Sequence, residues 1–156
     1  MTVGLLFIWD RGWSHPDYEL NMWLDIATAF DVDFVAMVPN LKYGERSEKP
    51  YLYQYDSVEG ALDDIKSKYE NITFVFLEPK SIADANNVPC ESLTTFDHPK
   101  DALYIFGNSS RSNIGLVNID RGDKVVYVPT IVEHQIWSIQ VVAVVLYDRA
   151  KKAWLI

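Results

Sequence analysis

A buried strand that ends at a glycine sets the fold class expected for this chain: Leu103-Tyr104-Ile105-Phe106-Gly107-Asn108-Ser109-Ser110-Arg111-Ser112-Asn113. Its first residues are apolar, and small polar residues follow the glycine. Ligands of parallel α/β sheets bind outside the carboxyl ends of the strands, where a glycine lets the backbone approach closely. A second apolar run ends in a turn roughly one βα unit later, at Val125-Val126-Tyr127-Val128-Pro129-Thr130. We expect these two turns to meet in one crevice.

The other apolar runs are short and rich in β-branched and aromatic residues, and stretches with helical spacing separate them. This alternation is typical of βαβ units. It predicts an α/β fold with a mainly parallel sheet and helices on both faces. The predicted strands lie at about Val3–Trp9, Asp33–Val38, Tyr51–Tyr55, Ile72–Leu77, Ala102–Phe106 and Lys124–Val128.

The spacing of apolar residues also predicts three main helices. In the second helix, Asp56 and Glu59 are spaced as a capping box. The last helix is apolar on every side from Val141 to Tyr147, so we expect protein to enclose it on more than one face, between its own sheet and another subunit. The predicted helices are Asp17–Phe30, Asp56–Tyr69 and about Glu133–Trp154.

Size and composition predict one domain that covers residues 1–156. A chain of this length with 49% hydrophobic residues can bury a single core. The first apolar run, Val3–Trp9, follows no basic segment and is too short for a signal peptide or a membrane span. We therefore expect a cytoplasmic protein that does not enter a membrane. The single cysteine, Cys90, is consistent with a reducing compartment.

Charge restricts the partners that the chain can bind. Asp and Glu outnumber Lys and Arg by 22 to 14, whereas proteins that bind polyanions usually present a net basic face. A nucleic-acid surface would therefore be a local patch, or would need a second subunit or a partner. The histidines, His15, His98 and His134, are far apart and lack matching carboxylate or cysteine spacing, so we expect no metal site.

Together, these segments resemble the SpoU-type (SPOUT) RNA 2′-O-methyltransferases, and among them the minimal single-domain enzymes that methylate the wobble ribose of tRNA. The family's second motif is an apolar strand followed by Phe-Gly-x-Glu-x-Arg-Gly-Leu. Phe106, Gly107 and Arg111 match this motif, whereas Ser109 stands at the position of the Glu. The resemblance spans nearly the whole chain in length and in the order of its elements.

The family's third motif reads Ile-Pro-Met, a short loop, Ser-x-Asn-Leu-Ser-x-Ala and an apolar helix that ends Val-Tyr-Glu. Val128-Pro129-Thr130 and Val144-Val145-Leu146-Tyr147-Asp148 follow this pattern. Gln135 and Trp137, however, stand where the family has Ser and Asn. The loop between the strand and the last helix is thus altered, while both of its flanks are kept.

The family's first motif, Asn-x-Gly-x-x-x-Arg at the start of the first helix, is the most altered of the three. It aligns with Glu19–Asp25. This alignment puts Asp25 where the family has the arginine that is expected to activate the ribose hydroxyl. The matches that remain lie mainly at scaffold positions, such as Gly107, Pro129 and the last helix.

The resemblance implies a C-terminal trefoil knot, a homodimer built across the last helix, and S-adenosyl-L-methionine held in the knot mainly by backbone groups. Arg111 would orient phosphate, and Tyr147 would lie near the active site of the partner subunit. Trp137 would either contact the cofactor or fill the adenosine pocket. Matching positions imply cofactor contacts at Phe106, Gly107, Val128 and Pro129, and location adds Asn108, Thr130, Ile136 and Trp137.

Three functions remain open from the sequence. The first is an S-adenosylmethionine-dependent ribose 2′-O-methyltransferase that acts on tRNA or another RNA. The second is a knotted dimer that has lost methyl transfer and acts as a binding or regulatory module. The third is a different S-adenosylmethionine-dependent reaction in which Asp10, Glu19 or Asp25 is the base. The lost arginine and the acid excess argue against the first, and the family pattern argues for it.

Overall fold

A computed structural model describes residues 1–156 as one α/β unit. The sheet has seven strands in the order β3-β2-β1-β6-β4-β7-β5, and every pairing is parallel, which confirms the predicted fold class. The strands are β1 (Val3–Ile8), β2 (Phe34–Val38), β3 (Tyr51–Gln54), β4 (Thr73–Leu77), β5 (Glu91–Ser92), β6 (Ala102–Phe106) and β7 (Lys124–Tyr127). The helices are α1 (Pro16–Ala29), α2 (Val58–Lys68), α3 (Lys80–Ala85) and α4 (Ser138–Lys152).

Helices cover both faces of the sheet, as the sequence predicts. Helices α1 and α4 pack on one face through residues such as Trp23 and Val145, and α2 and α3 pack on the other through residues such as Leu62 and Ala83. Because both faces are covered, the central strands are apolar throughout rather than alternating. None of the helices combines the length and the apolar character that a membrane span requires.

The direction of chain progress through the sheet reverses next to β1. From β1 the chain moves outward through β2 to β3, while β6, β4 and β7 lie on the other side of β1. Ligands of open α/β sheets bind at such a switch point, outside the carboxyl ends of the strands. The ends of β1 and β6 are therefore the first place to search for a site.

Two helix starts differ from the sequence prediction. Helix α2 is capped by Ser57, whose hydroxyl accepts the N–H of Gly60 at 3.0 Å, rather than by Asp56. Helix α4 begins at Ser138, five residues later than predicted, where the Gln140 side chain accepts the N–H of Trp137 at 2.9 Å. The residues before Ser138 are irregular and run along the carboxyl ends of the strands, where they can line a site.

Its own sheet covers one face of helix α4. Val142, Val145 and Leu146 are buried against the sheet, whereas Val144 and Tyr147 are 43% and 56% exposed. Within one chain, α4 is thus enclosed on one face only. The opposite face is an apolar surface beside a shallow depression, which we call the α4 depression, lined by Leu93, Thr94, Val128, Pro129, Ala143, Val144, Tyr147, Asp148 and Lys151.

Candidate functional site

A cavity of about 320 Å³ opens at the carboxyl ends of β4, β6 and β7, and we call it the strand-end pocket. This volume falls within the roughly 300–1,000 Å³ typical of small-molecule sites. Both glycine- and proline-marked turns contribute to it, so the crevice predicted from the sequence is confirmed. Its wall includes Leu77, Glu78, Phe106, Gly107, Asn108, Arg111, Val126, Val128, Thr130, His134, Ile136 and Val141.

The turn after β6 is tight because the chain folds back on itself at once. Asn108 and Arg111 form a short antiparallel bridge, in which the N–H of Asn108 donates to the carbonyl of Arg111 at 3.0 Å. A Cβ at Gly107 would lie inside van der Waals contact with that same carbonyl oxygen. Only glycine fits this position without a backbone shift, which leaves the main chain of the turn open to the pocket.

The Asp10 carboxylate fixes the same turn to the end of β1. It accepts the Ser109 N–H and the Ser109 hydroxyl, both at 2.8 Å, and the Gly12 N–H at 2.9 Å. The Asn108 amide adds a bond to the carbonyl of Trp9 at 3.1 Å. Asp10 is 4% exposed. Because protein donors bond to both of its oxygens, the buried carboxylate does not lack hydrogen-bond partners.

A second carboxylate, Glu78, holds the far side of the turn from the end of β4. It accepts the Ser112 hydroxyl and the Asn113 N–H, each at 2.9 Å. Burial raises the pKa of Glu78, and these two hydrogen bonds oppose the rise. The Asn113 side chain donates to the Phe106 carbonyl at 3.2 Å, and its Oδ1 atom is buried with no partner.

A smaller cavity of about 200 Å³ lies between the ends of β1 and β6, and we call it the Glu19 chamber. Three tryptophans line it, and the rings of Trp13 and Trp137 are tilted at 50° to each other with centroids 5.8 Å apart. Its full wall is Ile8, Asp10, Trp13, Glu19, Trp23, Gly107, Asn108, Ser109, Gln135, Ile136, Trp137, Ser138 and Ile139.

Glu19 is 3% exposed and only loosely bonded in this chamber. Both of its oxygens lie 3.3 Å from the N–H of Asp10, and one accepts the Ser14 hydroxyl at 3.2 Å. Burial raises the pKa of Glu19 to about 7, and the nearby Asp10 charge adds to the rise. This carboxyl group can therefore gain or lose a proton near neutral pH.

The two cavities adjoin each other across the β6 turn. They share Gly107, Asn108, Ser109, Gln135, Ile136 and Ser138. The Ser138 hydroxyl, at the first turn of α4, donates to the Gly107 carbonyl at 2.7 Å and so locks the helix start to the turn. A ligand in one cavity would thus lie next to a ligand in the other.

The strand-end pocket gathers most of the residues predicted to contact a cofactor. Phe106, Gly107, Asn108, Val128, Thr130 and Ile136 all line it. Pro129 instead lines the α4 depression. Trp137 lines the Glu19 chamber and is 47% exposed, so it stands beside the strand-end pocket rather than inside it.

The two residues predicted as catalytic lie apart within one chain. Arg111 lines the strand-end pocket and pairs with Glu59 at 3.2 Å, and both side chains are exposed. Tyr147 lies on the α4 depression and lines neither of the other cavities. The pairing of these residues that the resemblance implies needs a second subunit.

Asp25, which the first-motif alignment puts at the arginine, lies on the exposed face of α1 and lines none of the three cavities. Trp23 instead lines the Glu19 chamber, with its ring stacked on Phe7 at 4.8 Å and tilted against Phe106 at 5.1 Å between ring centroids. Shifting the alignment by two residues puts Trp23 at the arginine and Glu19 at the glycine of the motif. The sequence spacing could not fix this register, because both registers lie on one helix.

Six of the 14 lysine and arginine side chains already have acidic partners. Lys49 pairs with Asp31 at 3.3 Å and Asp33 at 3.4 Å, and Arg121 pairs with Asp123 at 2.6 Å. No group of three or more His, Cys, Asp or Glu side chains is arranged to hold a metal ion.

The chain matches solved structures of RNA methyltransferases over almost its full length. The SpoU methyltransferase AviRb from Streptomyces viridochromogenes, in complex with AdoMet, has a TM-score of 0.68 at 14% identity, covering 98% of this chain and 58% of that one. A putative RNA methyltransferase from Bacillus anthracis has a TM-score of 0.64 at 13% identity, covering 96% and 93%. A structure that concerns the 2-OH methylation of C/U34 on tRNA has a TM-score of 0.65 at 14% identity, covering 99% and 98%.

The sequence comparisons add no relative. No protein-family model matches the chain, and no curated protein matches it. The chain spans a little over half the length of AviRb, with 58% covered, and nearly all of the tRNA-related structure, with 98% covered. Since identities are between 13% and 14% for these three, the likeness is one of architecture. We conclude that the chain has the fold of the SpoU-type RNA methyltransferases.

Proposed function

We propose that this protein binds S-adenosyl-L-methionine in the strand-end pocket and methylates a ribose 2′-hydroxyl of RNA, with tRNA as the preferred class. The observation that carries the proposal is the position of this pocket. It lies at the carboxyl ends of β4, β6 and β7, within a fold shared with an AdoMet complex of a SpoU methyltransferase. Two turns predicted from the sequence as cofactor-binding line it.

The chemistry of the pocket suits the proposed cofactor. Phe106, Val126, Val128 and Ile136 offer an apolar wall for an adenine ring, and the turn at Gly107 brings main-chain groups close without an intervening side chain. When bound, S-adenosylmethionine supplies an electrophilic methyl group on a sulfonium centre. The residues proposed to hold it are Phe106, Gly107, Asn108, Val128, Thr130 and Ile136, with Pro129 and Trp137 at the margins.

The proposed assembly is a cytoplasmic homodimer joined through α4, with the C-terminal segment threaded as a trefoil knot. Val144 and Tyr147 on α4 are exposed, as are Trp154, Leu155 and Ile156 at the chain end. Apolar residues clustered in this way favour burial against another surface. A dimer across α4 would carry Tyr147 of one subunit toward the Arg111 side of the other.

RNA would meet few cations near the two cavities. Arg11, which lies over the Trp9 ring at 5.1 Å, is close in sequence to Asp10 and Trp13 of the Glu19 chamber, and Arg111 has one exposed carboxylate partner. Affinity for polyanions falls with salt in proportion to the number of phosphates neutralised. We therefore expect a shallow salt dependence of RNA binding, with shape and the cofactor contributing more than charge.

Calorimetry with S-adenosylmethionine tests the pocket directly. Thr130 is exposed at the pocket wall, and its replacement Thr130→Trp would fill the cavity without removing a core residue. We expect this variant to weaken cofactor binding at least tenfold. Val132→Trp, two residues along the same loop at a position that is 73% exposed and outside the cavity wall, is the matched control and should bind as the wild type does.

Methyl transfer to bulk tRNA then tests the reaction. Labelled methyl groups in tRNA that resist alkaline cleavage at the modified ribose would support the proposal. Cofactor binding without transfer to any RNA would favour the alternative function, a binding or regulatory dimer. No heat with the cofactor at high concentration would overturn the assignment of the pocket itself.

A further inference from the structure

The Glu19 chamber adjoins the proposed cofactor pocket and shares Gly107, Asn108 and Ile136 with it, but Asp10, Trp13 and Glu19 line the chamber alone. Its size, about 200 Å³, is below the range of about 300–1,000 Å³ for drug-sized ligands, so it fits a single sugar or base. Trp13 and Trp137 line it and offer aromatic faces on which such a ring can stack. The chamber therefore has the shape of a site for the methyl acceptor.

Two ionisable side chains line this chamber, and they differ in their bonding. Asp10 receives three hydrogen bonds of 2.8 to 2.9 Å and is committed to holding the β6 turn. Glu19 receives only bonds of 3.2 to 3.3 Å, from the Asp10 N–H and the Ser14 hydroxyl. A buried carboxylate with long bonds retains the capacity to accept a stronger one from a ligand.

From this geometry we propose that the Glu19 chamber holds the acceptor ribose and that the Glu19 carboxylate accepts the proton of its reacting hydroxyl. This inference rests on the proposed function and assigns the base within it. The acceptor O–H bond breaks, its proton goes to Glu19, and its oxygen bonds the methyl group as the sulfonium sulfur keeps the S–C electron pair and becomes a neutral thioether.

The surroundings of Glu19 suit this role. Asp10 is the one charged group that faces it from the end of β1, while the β6 turn and the 135–139 segment present Asn108, Ser109, Gln135 and apolar side chains. Burial raises the pKa of Glu19 to about 7. A general base works best when its pKa lies near the operating pH. Trp23, the other α1 side chain in the chamber wall, has no atom that can accept a proton, whereas Glu19 has.

Nucleoside binding tests the chamber without any turnover. Uridine and cytidine, each compared with its 2′-deoxy counterpart, are titrated while the tryptophan fluorescence is recorded. We expect the ribonucleosides to quench more strongly, and Glu19→Gln to lower ribonucleoside affinity about tenfold while leaving 2′-deoxynucleoside affinity unchanged. Asp63→Asn, at an exposed carboxylate on α2 outside every cavity, is the control. Equal affinities for ribo and deoxy forms, or no quenching, would overturn the inference.

The pH dependence of methyl transfer tests the proton acceptor itself. We expect the wild-type rate to rise through about pH 7, and Glu19→Gln to be at least 100-fold slower with that rise removed. An active variant with an unchanged pH profile would refute Glu19 as the base and leave the proposed function standing. A wild type that binds cofactor but methylates no RNA would refute the proposed function, and this inference with it.

Discussion

Two buried polar clusters lie at opposite ends of β6, and they are built in opposite ways. At the carboxyl end, the Glu19 chamber holds two carboxylates of like charge beside a cavity. At the amino end, α4 and the residues before β6 form what we call the His98 network, made of His98, Tyr104, Asp148, Arg149 and Lys152.

The His98 network has short bonds and complementary charges. His98 contacts the Tyr104 hydroxyl at 2.6 Å and the Asp148 carboxylate at 2.7 Å. Arg149 donates to the Tyr104 hydroxyl at 2.9 Å and to the carbonyls of Pro99 and Lys100 at 2.7 and 3.0 Å. Each side chain thus has partners that suit its charge, and the network fixes the end of α4 to the sheet.

The His98 network stabilises the fold, whereas Glu19 in its chamber is available for chemistry. A satisfied buried network rigidifies a structure, whereas an under-bonded, like-charged group beside a cavity costs stability. Strongly shifted titratable groups in clefts are candidates for function for this reason. The comparison therefore predicts opposite effects on the free energy of unfolding when one charged side chain in each cluster is replaced by a neutral one.

The largest effect is expected at the amino end. Arg149→Met keeps the apolar stem but removes three hydrogen bonds from a charged donor, to the buried Tyr104 hydroxyl and to the carbonyls of Pro99 and Lys100, so we expect the free energy of unfolding to fall by about 3–5 kcal/mol. Chemical denaturation measures this loss, with Lys124→Met, an exposed residue on β7, as the control. A loss under about 1 kcal/mol would mean that the network does not stabilise the fold.

Neutralising the chamber should stabilise the protein instead. The folded-state pKa of Glu19 is about 7, above its ordinary value of 4.5. The contribution of Glu19 to the free energy of unfolding is therefore fully present below pH 4.5 and is lost as the pH rises through 7. Glu19→Gln removes this fall, and we expect it to be more stable than the wild type by roughly 3 kcal/mol at pH 8. Denaturation at pH 5 and pH 8 tests this, and equal pH dependence in both proteins would contradict it.

His98 should give a pH dependence of the opposite sign. Burial lowers the pKa of His98 below its ordinary 6.5, although the hydrogen bond to Asp148 opposes this shift. The contribution of His98 to the free energy of unfolding is therefore present above pH 6.5 and is lost as the pH falls. We expect His98→Gln to cost about 1 kcal/mol at pH 7, from poorer hydrogen bonds, and to cost less at pH 5. His15→Gln, at an exposed site, should show neither change.

The smallest effect on stability is expected where Arg111 meets Glu59 at the surface. Both side chains are about half exposed, and such pairs contribute roughly 0–1 kcal/mol. We expect Arg111→Gln to unfold within 1 kcal/mol of the wild type yet to lose affinity for RNA. Thermal unfolding and a filter-binding assay at fixed salt separate the two effects. Unchanged RNA affinity would remove Arg111 from the proposed phosphate contact.

Most of the sheet could be predicted from the sequence because its strands are buried on both faces and therefore apolar throughout. The strand Ala102–Phe106 and the turn at Gly107 fall where the pattern puts them. The sequence does not predict β5, because Glu91 and Ser92 are polar and pair only with β7 at the sheet edge. It predicts too early a start for α4, because residues 133–137 contain no glycine or proline that would exclude a helix.

The two-chamber arrangement could be predicted only in part. The strand-end pocket follows from two turns that parallel strands bring to one edge. The Glu19 chamber does not, because the sequence treats Asp17 and Glu19 alike as first-turn acids that favour a helix N-terminus. Only the fold shows that Asp17 is exposed while Glu19 points inward beneath Trp137 and the β6 turn.

The most direct test of the account is amide chemical-shift mapping of the isotope-labelled protein with S-adenosylmethionine. We expect the largest shifts at residues 106–109, 126, 128, 130 and 135–138, which line the strand-end pocket or the adjoining Glu19 chamber. The His98 network should shift little. Shifts centred on the α4 depression, or none at saturating cofactor, would contradict the account.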